Sequence, residues 1–278
     1  YDPNVYLKRF FQEGVKGDYI FLVDEAHNLV DRSREMYSAA IYKEDFLAMK
    51  RLMKNYSKKI EGHLERCNKI LLEYKRECEN YCLYENIGNL HFALHLLISE
   101  IDDFLQKPKR FKETKGEYLE NPWDFLGRKE LLEFYFGIRN FLNIMELVDE
   151  HYQIYTEIQE DGRFIMKLFC VDPSQNLQKC IEKGRSTIFF SATLLPIQYY
   201  KSLLSTDKEN YAIYAQTPFS AEQKQLLIGR DVSTKYTRRN ESEFRRIAEY
   251  IVKTIHCKKG NYMAFFPSYK LMNQVYEI

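Results

Sequence analysis

Asp24-Glu25-Ala26-His27 sets two carboxylates and an imidazole directly behind a short apolar run, Tyr19-Ile20-Phe21-Leu22-Val23. A continuous apolar run of that length predicts a strand buried on both faces, as in a parallel sheet. Ligands of open α/β sheets bind outside the carboxyl ends of the strands. A carboxylate there can hold Mg²⁺ on the phosphates of a nucleotide, and its neighbour can orient or deprotonate an attacking water. His27 stands where it can sense a phosphate and relay its state. The bland alternative is a solvated acidic strand end capped by a histidine.

Ser191-Ala192-Thr193 follows Ile188-Phe189-Phe190 in the same way. Two short hydroxyls at a strand end can hydrogen-bond a neighbouring carboxylate or histidine and so link two parts of a site. Taken alone, these are ordinary helix N-cap residues ahead of Leu194-Leu195-Pro196.

Two other groupings carry chemistry. Cys78 and Cys82 are four apart, as are His91 and His95, so each pair predicts a shared helix face. Two such faces could complete a Cys₂His₂ zinc site, although the spacing is looser than in recognised zinc motifs and favours buried thiols and core histidines. Lys107-Pro108-Lys109-Arg110-Phe111-Lys112 and Lys235-Tyr236-Thr237-Arg238-Arg239 are basic with interleaved aromatics, a pattern able to grip a nucleic-acid backbone. For the first of these a solvated inter-helix loop is the stronger reading. The second has equal claim to either.

The elements that must position these residues fall into three textures. Residues 5–13 have helical spacing ahead of the first strand. From Lys43 to Asn80, Phe46, Met49, Met53, Tyr56, Ile60, His63, Cys67, Ile70 and Tyr74 recur at three- and four-residue steps, predicting one or two long helices. Leu90 to Leu105 and Lys129 to Tyr155 repeat that pattern, with Phe134, Phe141, Tyr152 and Tyr155 as a core stripe. Residues 38–162 therefore read as an all-α bundle inserted into an α/β fold, far longer than an ordinary connection. After Asp161-Gly162 the α/β texture resumes, with alternation over Phe164 to Cys170, a helix near Ser174 to Glu182 and a strand at Ser186 to Phe190. Further on come a helix at Ile197 to Leu204, strands near Ala212 and Leu226, a helix from Glu241 to Cys257, a strand at Tyr262 to Phe266 and a last helix from Tyr269.

The 278 residues carry 41 Lys+Arg against 40 Asp+Glu and are 45% hydrophobic, with 11 Gly and 7 Pro, which excludes disordered and fibrous classes. A formal charge of +1 gives no global basic field, so nucleic-acid contact would have to come from local patches. No apolar run approaches the roughly 20 residues of a membrane span. Six cysteines without a secretory signal predict reduced thiols in a cytoplasmic protein. The chain opens on Tyr1-Asp2-Pro3-Asn4 and stops at Tyr276-Glu277-Ile278 inside an amphipathic pattern, so it reads as a piece of a longer protein.

Asp-Glu-Ala-His after an apolar strand, a long helical insert, Ser-Ala-Thr-Leu after a second strand, then Thr217-Pro218-Phe219-Ser220 and Phe265-Phe266-Pro267-Ser268-Tyr269, together resemble the XPD/DinG-like branch of superfamily 2 DNA helicases. The order holds over nearly the whole chain, the insert matching in position and character only. The resemblance implies an ATP-dependent helicase moving 5′ to 3′ on single-stranded DNA. It makes residues 1–37 the end of a first RecA-like domain with motif II, 38–162 the Arch domain, 163–200 the return with motif III, and 201–278 the start of a second RecA-like domain with motif IV. It implies that Asp24 and Glu25 serve Mg²⁺ and water activation, that His27, Ser191 and Thr193 couple ATP state to DNA movement, and that Ser268 and Tyr269 lie along the DNA track. It also raises the weight of Arg238 and Arg239, next to motif IV, as DNA contacts, while Lys109 and Arg110 remain candidates on their basic run alone.

The sequence departs from that family in lacking G-x-x-x-x-G-K-S/T and any downstream arginine-finger motif. This predicts a chain that alone neither turns over ATP nor unwinds DNA. The family's iron–sulfur cysteines lie before motif II, so a cluster in the parent would use residues upstream of Tyr1, and none of the six cysteines here is assigned to one. A helical protein-interaction module on an α/β scaffold is the alternative. A metal-dependent nuclease ranks last, because the further carboxylates and lysine such sites need are missing.

Overall fold

The structure, a computed structural model, describes residues 16–106 and 127–278. The helical pattern at 5–13 and the basic residues Lys109 and Arg110 lie outside the described residues. The chain divides into two compact units, one ending at Ala212 and one running from Ile213 to Ile278.

In the first unit, β1 (Ile20–Val23) pairs in parallel with β6 (Ser186–Phe189), Ile20 opposite Ser186 and Val23 opposite Phe189. The parallel pairing agrees with the sequence, whereas burial on both faces does not. Ile20 and Leu22 are 62% and 67% exposed, because among the described residues this sheet has two strands and an uncovered face.

Between these strands lie α1 (Leu29–Met36), β2 (Ala39–Tyr42), α2 (Lys43–Met53), α3 (Lys58–Glu77), β3 (Tyr81–Tyr84), α4 (Gly88–Gln106), α5 (Arg128–Met145), β4 (Tyr152–Ile158), β5 (Phe164–Cys170) and α6 (Ser174–Ile181). The long helices form where the spacing predicts them. On α3, Ile60, Leu64, Cys67 and Leu71 make a fully buried seam at steps of four, three and four. Ser57 starts the helix by accepting a hydrogen bond from the Ile60 amide. Gly127, at the start of α5, has φ +98°, and a Cβ there would lie 2.4 Å from Leu52 Cδ1, so only glycine fits.

The insert is not all-α. Its helices share one core with a four-stranded antiparallel sheet in the order β2-β5-β4-β3. The stretch Lys129 to Tyr155 splits into a helix and the start of β4, whose Tyr152, Ile154 and Thr156 face inward while Gln153 faces out, a period of two. Asp161-Gly162 is the turn of the β4–β5 hairpin, with Gly162 at φ +80° and its amide on the Gln159 carbonyl. The alternating segment Phe164 to Cys170 pairs with β4 and β2.

The same correction removes the predicted helix face for Cys78 and Cys82. Cys78 lies past the end of α3, its thiol against the Thr156 carbonyl, and Cys82 is on β3 with its thiol on the Glu77 carbonyl. All six cysteines are free. Burial pushes the Cys67 and Cys170 thiols up to about 12 and about 11, away from the thiolate a metal would need. Among the described residues no group of thiols fits an iron–sulfur cluster, and no helix is long and apolar enough to cross a membrane.

The first unit closes with α7 (Ile197–Leu204). The second contains α8 (Glu241–Cys257) and α9 (Tyr269–Tyr276), which bury Phe244, Leu271 and Val275 between them. The strands predicted near Ala212, Leu226 and Tyr262 to Phe266 do not form. Ile213, Leu226 and Phe265 are largely exposed there, and without a neighbouring strand the backbone has no ladder to join.

Candidate functional site

The parallel pairing of β1 and β6 ends both strands at the same level, so the turns that follow them touch. The Phe190 amide donates to the Val23 carbonyl at 3.0 Å, and the Ala26 amide donates to the Phe190 carbonyl at 3.2 Å. Ala26 is fully buried at this contact. Glu25 makes the bend: its φ of 49° and ψ of 39° are left-handed, a conformation that costs a residue with a Cβ about 1–2 kcal/mol. Strain of this kind persists where the surroundings over-determine it.

The bend brings side chains from the two turns together across 164 residues of sequence. His27 Nδ1 lies 2.7 Å from Ser191 Oγ and 3.3 Å from a Glu25 carboxylate oxygen. Ser191 Oγ is 3.4 Å from that same oxygen and 3.5 Å from Thr193 Oγ1, and it accepts the Thr193 amide at 3.2 Å. An ionised carboxylate only accepts. The set is therefore satisfied when His27 Nδ1–H donates to Ser191 and the Ser191 hydroxyl donates to Glu25. Helix α7 begins at Ile197 behind Pro196, so Ser191 serves this network and is not the cap of that helix.

Asp24 faces solvent with one carboxylate oxygen held by the Glu25 amide at 2.7 Å. Its other oxygen has no hydrogen-bond partner among the described residues. One pinned carboxylate with one open oxygen fits Mg²⁺, which keeps most of its waters and takes one or two protein carboxylates beside substrate phosphates.

The remaining predicted residues among the described ones lie in the second unit. Arg239 stacks its guanidinium on Tyr236, 5.5 Å from the ring centroid, and bonds the Thr234 carbonyl. Arg238 lies 3.5 Å from Glu243. Ser268 caps α9 by accepting the Leu271 amide, and Tyr269 beside it is 84% exposed.

Glu243 was missed from sequence. It is buried, accepts the Ser233 amide and pairs with Arg246 as well as Arg238. The hydrogen bond from Arg246 holds its carboxyl below the usual 4.5. The signal is Asn240-Glu241-Ser242-Glu243 at a helix start, since Asn240 accepts the Glu243 amide in a cap. A carboxyl depressed on folding stabilises above its unfolded pKa, and that contribution is lost as pH falls through the folded value. Glu243→Gln is therefore expected to melt earlier than wild type at pH 7 and to converge with it well below pH 4.5, as read by circular dichroism melts across pH.

An acidic turn and a Ser-Ala-Thr turn, side by side at the carboxyl ends of parallel strands in a mixed α/β chain, have the layout of a phosphate-facing sheet edge. No protein-family model matches the chain. It is similar to the ATP-dependent DNA helicase XPD of Sulfolobus acidocaldarius, 23% identical over 266 residues that cover 93% of this chain and 43% of that protein. It is also similar to the ATP-dependent DNA helicase chl1 of Aspergillus niger, at 22% identity over 95% of this chain and 34% of that one. A third relative is the general transcription and DNA repair factor IIH helicase subunit XPD/RAD3 of Saccharomyces cerevisiae, 22% identical over 97% of this chain and 36% of that protein. A solved apo XPD structure aligns with 97% of this chain and 50% of its own at 19% identity and a TM-score of 0.44. The sequence thus resembles XPD-like superfamily 2 helicases from end to end, and the chain spans less than half the length of these curated relatives.

Proposed function

We propose that this chain is the middle of an ATP-dependent DNA helicase, from motif II through an Arch insert to motif IV, with the boundaries 1–37, 38–162, 163–200 and 201–278. The observation that carries the proposal is the hydrogen-bonded set of Glu25, His27, Ser191 and Thr193 at the ends of β1 and β6. Bound Mg-ATP would supply a polarised γ-phosphoryl group open to in-line attack by water. Asp24 would hold the Mg²⁺ with its open oxygen. Glu25 orients the attacking water and takes its proton. When Glu25 turns toward that water, the Ser191 hydroxyl, which His27 also holds, loses its acceptor, so the turn after β6 responds to nucleotide state. Through that response His27, Ser191 and Thr193 couple hydrolysis to movement along single-stranded DNA, in the 5′ to 3′ direction that the family resemblance implies. Lacking a phosphate-binding loop, the chain by itself hydrolyses no ATP and unwinds no DNA. An iron–sulfur cluster, if the parent carries one, uses residues outside this chain.

Arg238, Arg239, Ser268 and Tyr269 form the proposed DNA contact of the second unit, and Lys109 with Arg110 a second one. Arg238 sits beside buried Glu243, so a glutamate there would set two carboxylates together. Gln is the better test. Arg238→Gln/Arg239→Gln is expected to weaken binding of labelled single-stranded DNA in fluorescence anisotropy by roughly tenfold at low salt. The salt slope should fall by about 0.7 for each phosphate that is no longer neutralised. Lys109→Glu/Arg110→Glu tests the other patch. Wild-type affinity and slope in both variants would remove these residues from the DNA track.

A further inference from the structure

His91 and His95 stand one turn apart on α4, with His91 half-buried and His95 exposed. Their Nε2 atoms are 3.0 Å apart, and the rings meet edge to face at 4.6 Å. With no ion bound, that contact needs one Nε2–H and one Nε2 lone pair, so the two rings share a single proton between them. When the donor ring instead carries its proton on Nδ1, two Nε2 lone pairs stand on neighbouring atoms.

The spacing is the one a chelate requires. Imidazole nitrogens sit about 2.0–2.1 Å from a zinc-like ion. Two such ligands at 90–110° around the ion are then about 2.9–3.4 Å apart. The observed separation falls inside that window before any ion arrives. Aiming both lone pairs at one point turns the rings about χ2, which for histidine is broad and soft.

The surroundings favour a cation. Burial, and then the neighbouring His95, hold the His91 imidazole below its usual pKa, which keeps it in the neutral, ligating form. Glu146, at the C-terminal cap of α5, acts on His91 in the opposite sense, as a negative charge attractive to a bound ion. Cys78 and Cys82 are not part of the group, since their thiols are engaged by the Thr156 and Glu77 carbonyls.

We propose that His91 and His95 are a two-imidazole chelate for a borderline divalent ion of the Zn²⁺, Ni²⁺ and Cu²⁺ class, completed by water and biased toward cations by Glu146. Imidazole selects this class over Mg²⁺ and Ca²⁺, which prefer oxygen. The site is separate from the Asp24 carboxylate and does not depend on the nucleotide reading. Its ion would clip the first turns of α4 beside the end of α5.

The test is titration of the untagged chain with Ni²⁺ by calorimetry and with Cu²⁺ by electron paramagnetic resonance. One ion per chain is expected, with nitrogen superhyperfine coupling from two imidazoles. His91→Ala and His95→Ala should each lose that signal while keeping the wild-type circular dichroism spectrum. Glu146→Gln, which keeps both imidazoles, should bind about tenfold more weakly. A wild-type chain that takes up neither ion, His variants that bind like wild type, or a sulfur-to-copper charge-transfer band in place of the nitrogen signal would each overturn the assignment.

Discussion

Glu25→Gln in a longer chain that carries the phosphate-binding loop is expected to lower the steady-state rate of ATP hydrolysis by about 10²–10⁴-fold, the usual contribution of a positioned general base. Nucleotide binding should persist. The amide keeps the shape of the carboxylate and can still accept from Ser191, but it cannot take a proton from water. The metal is left to Asp24, whose bond from the Glu25 backbone amide does not involve the substituted side chain. Loss of turnover with retained affinity for a fluorescent ATP analogue therefore separates Glu25 as base from Asp24 as metal ligand. Equal hydrolysis rates for the variant and wild type would sink the assignment of this turn. Ser191→Ala makes a useful companion, because it removes the hydroxyl shared by His27 and Glu25 without touching either acid. Its expected signature is hydrolysis that persists but no longer accelerates when single-stranded DNA is added.

The two halves of this site were legible in sequence for a simple reason: each follows its own short apolar strand, and strand ends are where such sheets bind ligands. What could not be read was their contact. Nothing local says that His27 and Ser191 meet, because the pairing of Val23 with Phe189 that aligns them is a long-range choice. The long helices α2 to α5 were legible because the apolar residues keep the 3.6 period for three turns or more. The insert's sheet was hidden by short strands and by coincidence of spacing. Tyr152 and Tyr155 are three apart, as on a helix face, yet inward-facing Tyr152, Ile154 and Thr156 show the period of two that governs there. In the second unit α8 and α9 formed as predicted, whereas apolar runs such as Leu226-Leu227-Ile228 had strand propensity without a strand to pair with.

Phe141→Ala is expected to destabilise the first unit by about 3–5 kcal/mol, the range for emptying a fully buried phenylalanine site. That is a large share of the roughly 5–15 kcal/mol that holds a domain together. Phe141 is completely buried on α5, in a core that runs without interruption from Val30 on α1 through the helices and sheet of the insert to Leu177 and Leu204. Phe189, the last residue of β6 and two before Ser191, packs against the same core. The insert and the strand ends are thus cemented by one body of apolar contacts. A cavity at Phe141 should therefore be felt at both. Hydrogen exchange followed by mass spectrometry checks this: in the variant, amides of β4 and β5 and amides of β6 should lose protection together. Faster exchange confined to β4, β5 and the helices packed on them, with β6 unchanged, would mean that the insert opens independently and that the continuous core does not transmit its state to the turns after β1 and β6. Joint loss would instead give the insert a physical route to the Ser191 turn, because loosening it would relax the strand that sets Ser191 against His27 and Glu25.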